Sequence, residues 1–172
     1  MLKISGAILC ILGCSGFGIL KISGWKKDLM HLQNWILLFQ RIKSRIFYHK
    51  ETLEESCIWI GEKEGEKNGK VLWRIGIRAR EERHKEFSGI WKEELDEWCG
   101  QNLQQNSIKE LLIQFPDYVK EADEQLQLNL FSFYIEELQK EKGKLEGQIQ
   151  EKQKPVMAVS LVGGIMISIL LI

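Results

Sequence analysis

Proline, histidine and net charge are all scarce in this sequence, and each scarcity excludes a class of protein. Two prolines in 172 residues rule out a Pro-rich linker. The three histidines have no H-E-x-x-H spacing and the four cysteines form no C-x-x-C pair, so we predict free thiols and no metal site. Acidic and basic residues number 24 each, which leaves no excess positive charge to bind nucleic acid.

Charge is also missing from both ends of the chain. Residues 4–20 and 156–172 are two uncharged runs of 17 residues, and Lys3 alone carries charge outside the range from Lys21 to Lys154. Seventeen residues is the lower limit for a helix that crosses the hydrocarbon of a bilayer. We therefore predict transmembrane helices at 4–20 and 156–172, with a helical domain at 21–154 between them.

Two alternatives compete with this interpretation of the ends. The first run resembles a signal peptide, although no A-x-A-like cleavage site follows it, and the second could be a core helix, although it lacks a polar stripe. Lysines concentrate at the inner ends of both runs, which places the domain in the cytoplasm. Gly163 and Gly164 are candidates for close helix packing in the membrane, unless they only reflect the frequency of glycine in such helices.

Two long helices are predicted inside the charged part. From Trp25 to His49 apolar residues recur at steps of three and four, and beyond Asp117 a seven-residue apolar repeat continues to Lys154. The residues of the two seams are Leu32, Trp35, Phe39, Ile42 and Ile46, and Phe131, Ile135, Leu138, Leu145 and Ile149. Pairing of these seams predicts an all-α fold with a long antiparallel two-helix stalk that carries a helical head.

The head is predicted from shorter patterns. Thr52 with Glu55 forms a capping box for a helix that reaches Trp59, and residues 62–70, rich in Gly, Glu and Lys, favour a loop. Two more helices follow at residues 71–84 and 88–99. Ser107 with Glu110 is a second capping box, for a helix that Pro116 ends after Phe115.

No catalytic chemistry can be assigned. No nucleophile pairs with a base, and the glycines of residues 61–69 lack the G-x-x-x-x-G-K-[ST] pattern of a phosphate loop. We therefore predict a protein that is not an enzyme and that has no cofactor. The run from Arg74 to Lys85 is a solvated helix face or, alternatively, a patch for an acidic protein or lipid headgroups.

Several short motifs together resemble one family. They are the start Met1-Leu2-Lys3, the segments at 45–48 and 53–56, Trp91 within residues 90–95, Asp123 with Gln127, and the pair Gly163-Gly164. This pattern resembles stage III sporulation protein AB of endospore-forming bacteria, and the resemblance covers essentially the whole chain.

The resemblance implies a function. The family is similar in its helical domain to inner-membrane platform proteins of type II secretion and type IV pilus systems. It implies a multi-pass platform in the mother-cell membrane around the forespore, within the channel complex that connects the two cells. The implied partners are the complex's cytoplasmic secretion-type ATPase, its other membrane components, and lipid.

The resemblance also suggests which residues meet a partner. Trp91, Asp123 and Gln127 are the candidate partner-binding residues. The alternative function is a membrane-tethered helical scaffold or signalling protein without an ATPase partner, and both functions are compatible with a homo-oligomer.

Overall fold

A computed structural model describes residues 2–65, 67–119 and 124–171 of the chain. These residues form six α-helices and one short 3-10 helix, without a strand in the described ranges, which confirms the all-α prediction. The helices are α1 Leu2–His49, α2 Leu53–Lys63, α3 Lys67–Glu81, α4 Phe87–Asn102, α5 Asn106–Ile113, the 3-10 helix Phe115–Tyr118, and α6 Glu124–Leu171.

The chain forms two compact units. One is Met30–Lys142, and the other combines Met1–Leu29 with Gly143–Ile172. Both boundaries fall inside long helices, because α1 and α6 continue across them. Pro155 lies within α6.

Aromatic rings form the core of the Met30–Lys142 unit. Ring centroids of Phe39 and Phe115 lie 4.6 Å apart, those of Trp91 and Phe115 4.7 Å, and those of Phe39 and Tyr134 5.0 Å. All four side chains are fully buried. Because these rings come from α1, α4, the 3-10 helix and α6, the cluster joins four elements of the unit. Aromatic pairs add about 0.5–1.5 kcal/mol each beyond their buried area.

Within this unit α1 and α6 run antiparallel. Phe39 packs against Tyr134, whereas Phe47, two turns later on α1, packs against Phe131, which is earlier on α6. The Lys43 ammonium donates a hydrogen bond to Ser132 Oγ at 2.7 Å. The predicted seams are buried here as expected, except that Ile46 is only half-buried.

Glycines bring α2 and α3 unusually close together. A Cβ on Gly76 would lie 2.6 Å from Ile58 Cγ1 and 2.9 Å from the Glu54 carbonyl, and one on Gly69 would meet the Glu64 carbonyl. The loop predicted at 62–70 is shorter in the structure, because α2 reaches Lys63 and α3 begins at Lys67. Of the glycines in this segment, Gly69 serves helix packing, whereas a Cβ on Gly65 would meet nothing within 4 Å.

The two predicted capping boxes have different outcomes. Thr52 accepts from the Glu55 N–H, and the Glu55 carboxylate accepts from the Thr52 N–H at 2.9 Å, so the first is confirmed. The second is wrong. α5 begins at Asn106 with Gln105 at its N-cap, which leaves Ser107 inside the first turn, where its hydroxyl cannot cap.

Arg45, near the end of α1, contacts α2 and the turn before it. Its guanidinium carbon lies 3.7 Å from the centre of the Trp59 ring, and its Nε donates to Glu51 Oε2 at 2.6 Å. Arg45 therefore combines a cation–π contact with a forked ion pair across the turn at Lys50, whose φ is 56°.

The second unit contains the ends of both long helices. Ile22, Leu145 and Ile149 are buried in it, and the ammonium groups of Lys21 and Lys152 each lie 5.9 Å from the Trp25 ring centre. Among the residues that the structure describes, no helix offers a stretch long and apolar enough to cross a membrane.

Candidate functional site

Trp91, a candidate for direct contact with a partner, is enclosed in the core. Its side chain has no exposed surface, and its indole Nε1 donates a hydrogen bond to the Leu112 carbonyl at 2.9 Å. The apolar stripe of α4 that includes Trp91 is covered by α1 and by the 3-10 helix. Trp91 can therefore affect a partner only from inside the core, by fixing the positions of α5 and the 3-10 helix.

Gln127 lies at the edge of the same region. It is half-buried on α6, and its Nε2 donates to the Val119 carbonyl at 3.3 Å, which ties α6 to the end of the 3-10 helix. Asp123 lies outside the described residues. The surroundings of Gly163 and Gly164 also lie outside what the structure describes.

The surface next to Trp91 and Gln127 is concave. One groove of about 660 Å³ lies between α4 and α5, and a second of about 640 Å³ lies between the start of α2 and the start of α4. Both are lined by Ser88 and Pro116, so they adjoin. We call the two grooves together the Pro116 surface.

Buried hydrogen bonds hold this surface in shape. The Trp91 bond to Leu112 and a bond of 3.1 Å from the Tyr134 hydroxyl to the Leu111 carbonyl fix the last turn of α5 beside the first groove. Gln127 fixes Val119, which lines the second groove. Two of the three candidate partner-binding residues thus support the Pro116 surface from behind.

The Pro116 surface carries charges of both signs around an apolar centre. Lys92 and Lys109 line the first groove with Glu110 and Asp117, and Glu54 and Glu86 line the second beside Phe87. Lys109 Nζ lies 2.7 Å from Asp96 Oδ1, and this contact raises the pKa of Lys109. Mixed charge around apolar residues suits recognition of another protein surface.

The basic run of α3 is not simply solvated. Arg78 donates from Nη1 to Glu94 Oε1 at 2.9 Å and from Nη2 to Glu93 Oε2 at 2.7 Å, which joins α3 to α4. Its Nε donates to Glu82 Oε1 at 2.7 Å. Hydrogen bonds from Arg78 and Lys85 lower the pKa of Glu82 to about 2, and Arg78 also lowers the pKa of Glu93.

The described thiols and imidazoles form no reactive cluster. Cys57 and Cys99 are free and buried, and desolvation raises the pKa of each to about 12. His31 meets the Trp98 ring edge-on at 5.3 Å. Within the described residues no three His, Cys, Asp or Glu side chains are grouped to hold a metal ion. What this part of the chain offers is binding surfaces.

Sequence reasoning identified Trp91 and Gln127 but missed the grooves beside them. Pro116 and Ser88 were interpreted only as helix boundaries. Two helix ends with exposed backbone that meet at one place are the signal that indicates such a surface.

Comparison with known proteins gives one family. The family model for stage III sporulation protein AB matches residues 3–172. Neither the curated proteins nor the solved structures contain a match to this chain.

Proposed function

The chain belongs to the stage III sporulation protein AB family and is therefore a sporulation protein, and from this premise we propose that it is a membrane platform. The platform belongs to the secretion-like channel complex between mother cell and forespore. It docks the complex's cytoplasmic ATPase and acts by binding, without catalysis of its own.

Membrane attachment is supported by the apolar surface near both ends. The described side chains of Leu20 on α1 and of Val159, Val162 and Met166 on α6 are all largely exposed. The three on α6 are spaced three and four residues apart, so they share one helix face. These residues belong to, or end, the uncharged runs at 4–20 and 156–172, which we propose to span the mother-cell membrane around the forespore.

Orientation follows from the lysines at the inner ends of the two runs. Lys21, Lys152 and Lys154 are exposed, and two of them flank the Trp25 ring. Lysine and tryptophan are the residues that anchor helices at a membrane interface, and lysine is enriched on its cytoplasmic side. The proposal therefore puts the Met30–Lys142 unit in the cytoplasm, where the ATPase is.

The ATPase docks on the Pro116 surface in this proposal. The observation that carries it is that Trp91 and Gln127, identified from the family pattern, both hold the walls of these grooves through hydrogen bonds. Hydrogen bonds that fix the shape of a surface in this way are consistent with recognition of a protein. α1 and α6 then connect the docking unit to the apolar ends as stiff helices.

The test is capture of the ATPase from sporulating cells by the full chain in detergent. Lys92→Glu, on the Pro116 surface, reduces the captured ATPase about tenfold if the surface is the docking site. Lys63→Glu is the matched control, since Lys63 is an exposed helical lysine away from both grooves. Capture that is absent with the folded wild type, or equal for the two variants, contradicts the proposal.

One observation favours the alternative of a tethered scaffold. Leu126 and Phe133, seven residues apart on one face of α6, are each about half exposed, and such a stripe can pair with a second copy. Disulfide crosslinking between copies through Phe133→Cys, in a chain that captures no ATPase, would establish the scaffold instead.

A further inference from the structure

A second concave region, apart from the Pro116 surface, lies where the start of α3 meets the end of α4. It consists of two adjoining hollows of about 510 and 530 Å³ that share Lys67 and Lys70, and we call it the basic groove. Arg74 lines it as well. No acidic residue is among the described residues that line either hollow.

The basic groove also contains two buried donors without an acceptor. Asn68 is 2% exposed and its Nδ2 has no hydrogen-bond partner in the described structure, and Trp98 is 5% exposed with its indole Nε1 likewise unpaired. Each lines one of the two hollows. Buried N–H groups are normally satisfied, and an acceptor-bearing ligand in the groove would supply the missing partners.

The first turn of α3 adds to the same preference. Lys67 is the first residue of this 15-residue helix, so the positive end of the helix dipole lies at the groove. Cations, N–H donors and a helix N-terminus all favour one chemistry, a carboxylate or another anion.

Carboxylates on the neighbouring elements pair with arginines and leave Lys67 and Lys70 without an ion-pair partner among the described residues. Glu94 is shared between Arg74, at 3.0 Å, and Arg78, and Glu64 pairs with Arg41. Glu97 accepts a hydrogen bond from the Gln101 amide. Lys67 and Lys70 form no ion pair with any residue that the structure describes.

We propose that the basic groove binds an acidic segment of a partner protein, with Glu or Asp carboxylates held by Lys67 and Lys70, which both hollows share, beside the buried N–H donor of each hollow. The apolar part of the segment packs on Trp73, which is 42% exposed at the rim. Charge complementarity selects the segment, and the aromatic rim provides buried area.

The depth of the groove favours a protein segment over a membrane surface. Trp98 lines the groove but is only 5% exposed, so a partner approaches it only with a side chain that enters the hollow. The planar surface of a bilayer would contact Trp73 and the lysines and leave both buried donors unpaired. The proposal goes beyond ATPase docking, because it gives the platform a second binding surface with a different partner chemistry.

The experiment measures binding of a short fluorescein-labelled peptide of alternating Glu and Leu to the full chain in phosphatidylcholine nanodiscs, by anisotropy. Lys67→Glu with Lys70→Glu is expected to weaken binding at least about tenfold. The variant should fold, because acidic residues are favourable in the first turn of a helix. The control, Lys63→Glu with Arg83→Glu, has the same change in charge at two exposed positions that line none of the grooves, and should stay within about twofold of wild type.

Three results would overturn the proposal. The first is that the peptide does not bind to the folded wild type, and the second is that both double variants weaken peptide binding equally. The third is that the chain binds phosphatidylglycerol vesicles but not the peptide, which would make the groove a lipid site. The peptide probe does not involve the ATPase. Failure of ATPase capture with intact peptide binding therefore removes the proposed function alone, and the reverse result removes this inference alone.

Discussion

At the scale of single residues, burial separates five of the six tryptophans in a way that periodicity does not. Trp35, Trp91 and Trp98 are enclosed, whereas Trp59 and Trp73 are each about two-fifths exposed. A stripe of apolar residues indicates which face of a helix is apolar, but not whether another element covers it. The family pattern could therefore single out Trp91 without revealing that it acts from inside the core.

Replacing Trp91 tests its role as an internal support. Trp91→Phe removes the donor to the buried Leu112 carbonyl and should lower the free energy of unfolding by about 1–3 kcal/mol. Trp73→Phe is the control at a half-exposed position and should change it by less than about 0.5 kcal/mol. Urea denaturation followed by circular dichroism measures both, and equal values would contradict the assignment of Trp91 to the core.

Arg78 predicts a dependence of stability on pH. Because its hydrogen bonds hold the pKa of Glu82 at about 2, below the usual 4.5, the stabilisation is complete above pH 4.5 and is lost as the pH falls towards 2. Arg78→Gln should therefore be less stable than wild type near neutral pH, and the difference should shrink in acid. Urea midpoints across this pH range measure it.

Arg83→Gln is the control for this comparison, since Arg83 is an exposed arginine of the same run. It should follow the wild-type acid profile. A stability difference for Arg78→Gln that stayed constant over the whole pH range would show that the ion network between α3 and α4 does not produce the effect.

At the scale of helices, the long ones were predictable and the α2–α3 hairpin was not. α1 and α6 have sustained apolar repeats, and a repeat of that length has no other regular interpretation. Residues 62–70 instead combine Gly, Glu and Lys, which is also the composition of a loop. Only the contact of Gly69 and Gly76 with the opposite helix explains these glycines, and such a contact between distant residues is invisible in one sequence.

Gly76→Ala tests the close approach of these helices. The added Cβ would meet Ile58 and the Glu54 carbonyl, so α2 and α3 must separate, and we expect a loss of about 1–3 kcal/mol of stability. Gly100→Ala on α4, where a Cβ meets nothing within 4 Å, should be neutral or stabilising by up to about 1 kcal/mol. Thermal or urea denaturation measures the stability of both variants. A Gly76→Ala variant as stable as wild type would refute the packing argument.

At the scale of the whole molecule, the sequence indicated the helical content, the family and the apolar ends, but not the binding surfaces. The Pro116 surface combines the starts of α2 and α4 with α5 and the 3-10 helix, and the basic groove combines α1, α3 and α4. Each is assembled from segments far apart in the chain. Their existence depends on tertiary packing that neither spacing nor composition encodes locally.

Charges in the apolar ends test the proposed membrane attachment. Ile11→Arg or Val162→Arg places a charge mid-run, which costs about 3 kcal/mol in a transmembrane helix. Each should shift the full chain from the membrane fraction towards the alkaline carbonate supernatant. Ile11→Leu and Val162→Leu are the matched controls, and arginine variants that resist extraction as well as these would contradict the proposal.

The two buried thiols can report how often the helices that contain them open. Cys57 on α2 and Cys99 on α4 are fully enclosed, so an alkylating reagent reaches either one only when its helix opens. The rate at which each is alkylated, read by mass spectrometry of the separate peptides, reports the opening of two different helices in the unmodified chain. A partner that binds near α4 should slow the reaction of Cys99 more than that of Cys57, which would locate the partner without any mutation.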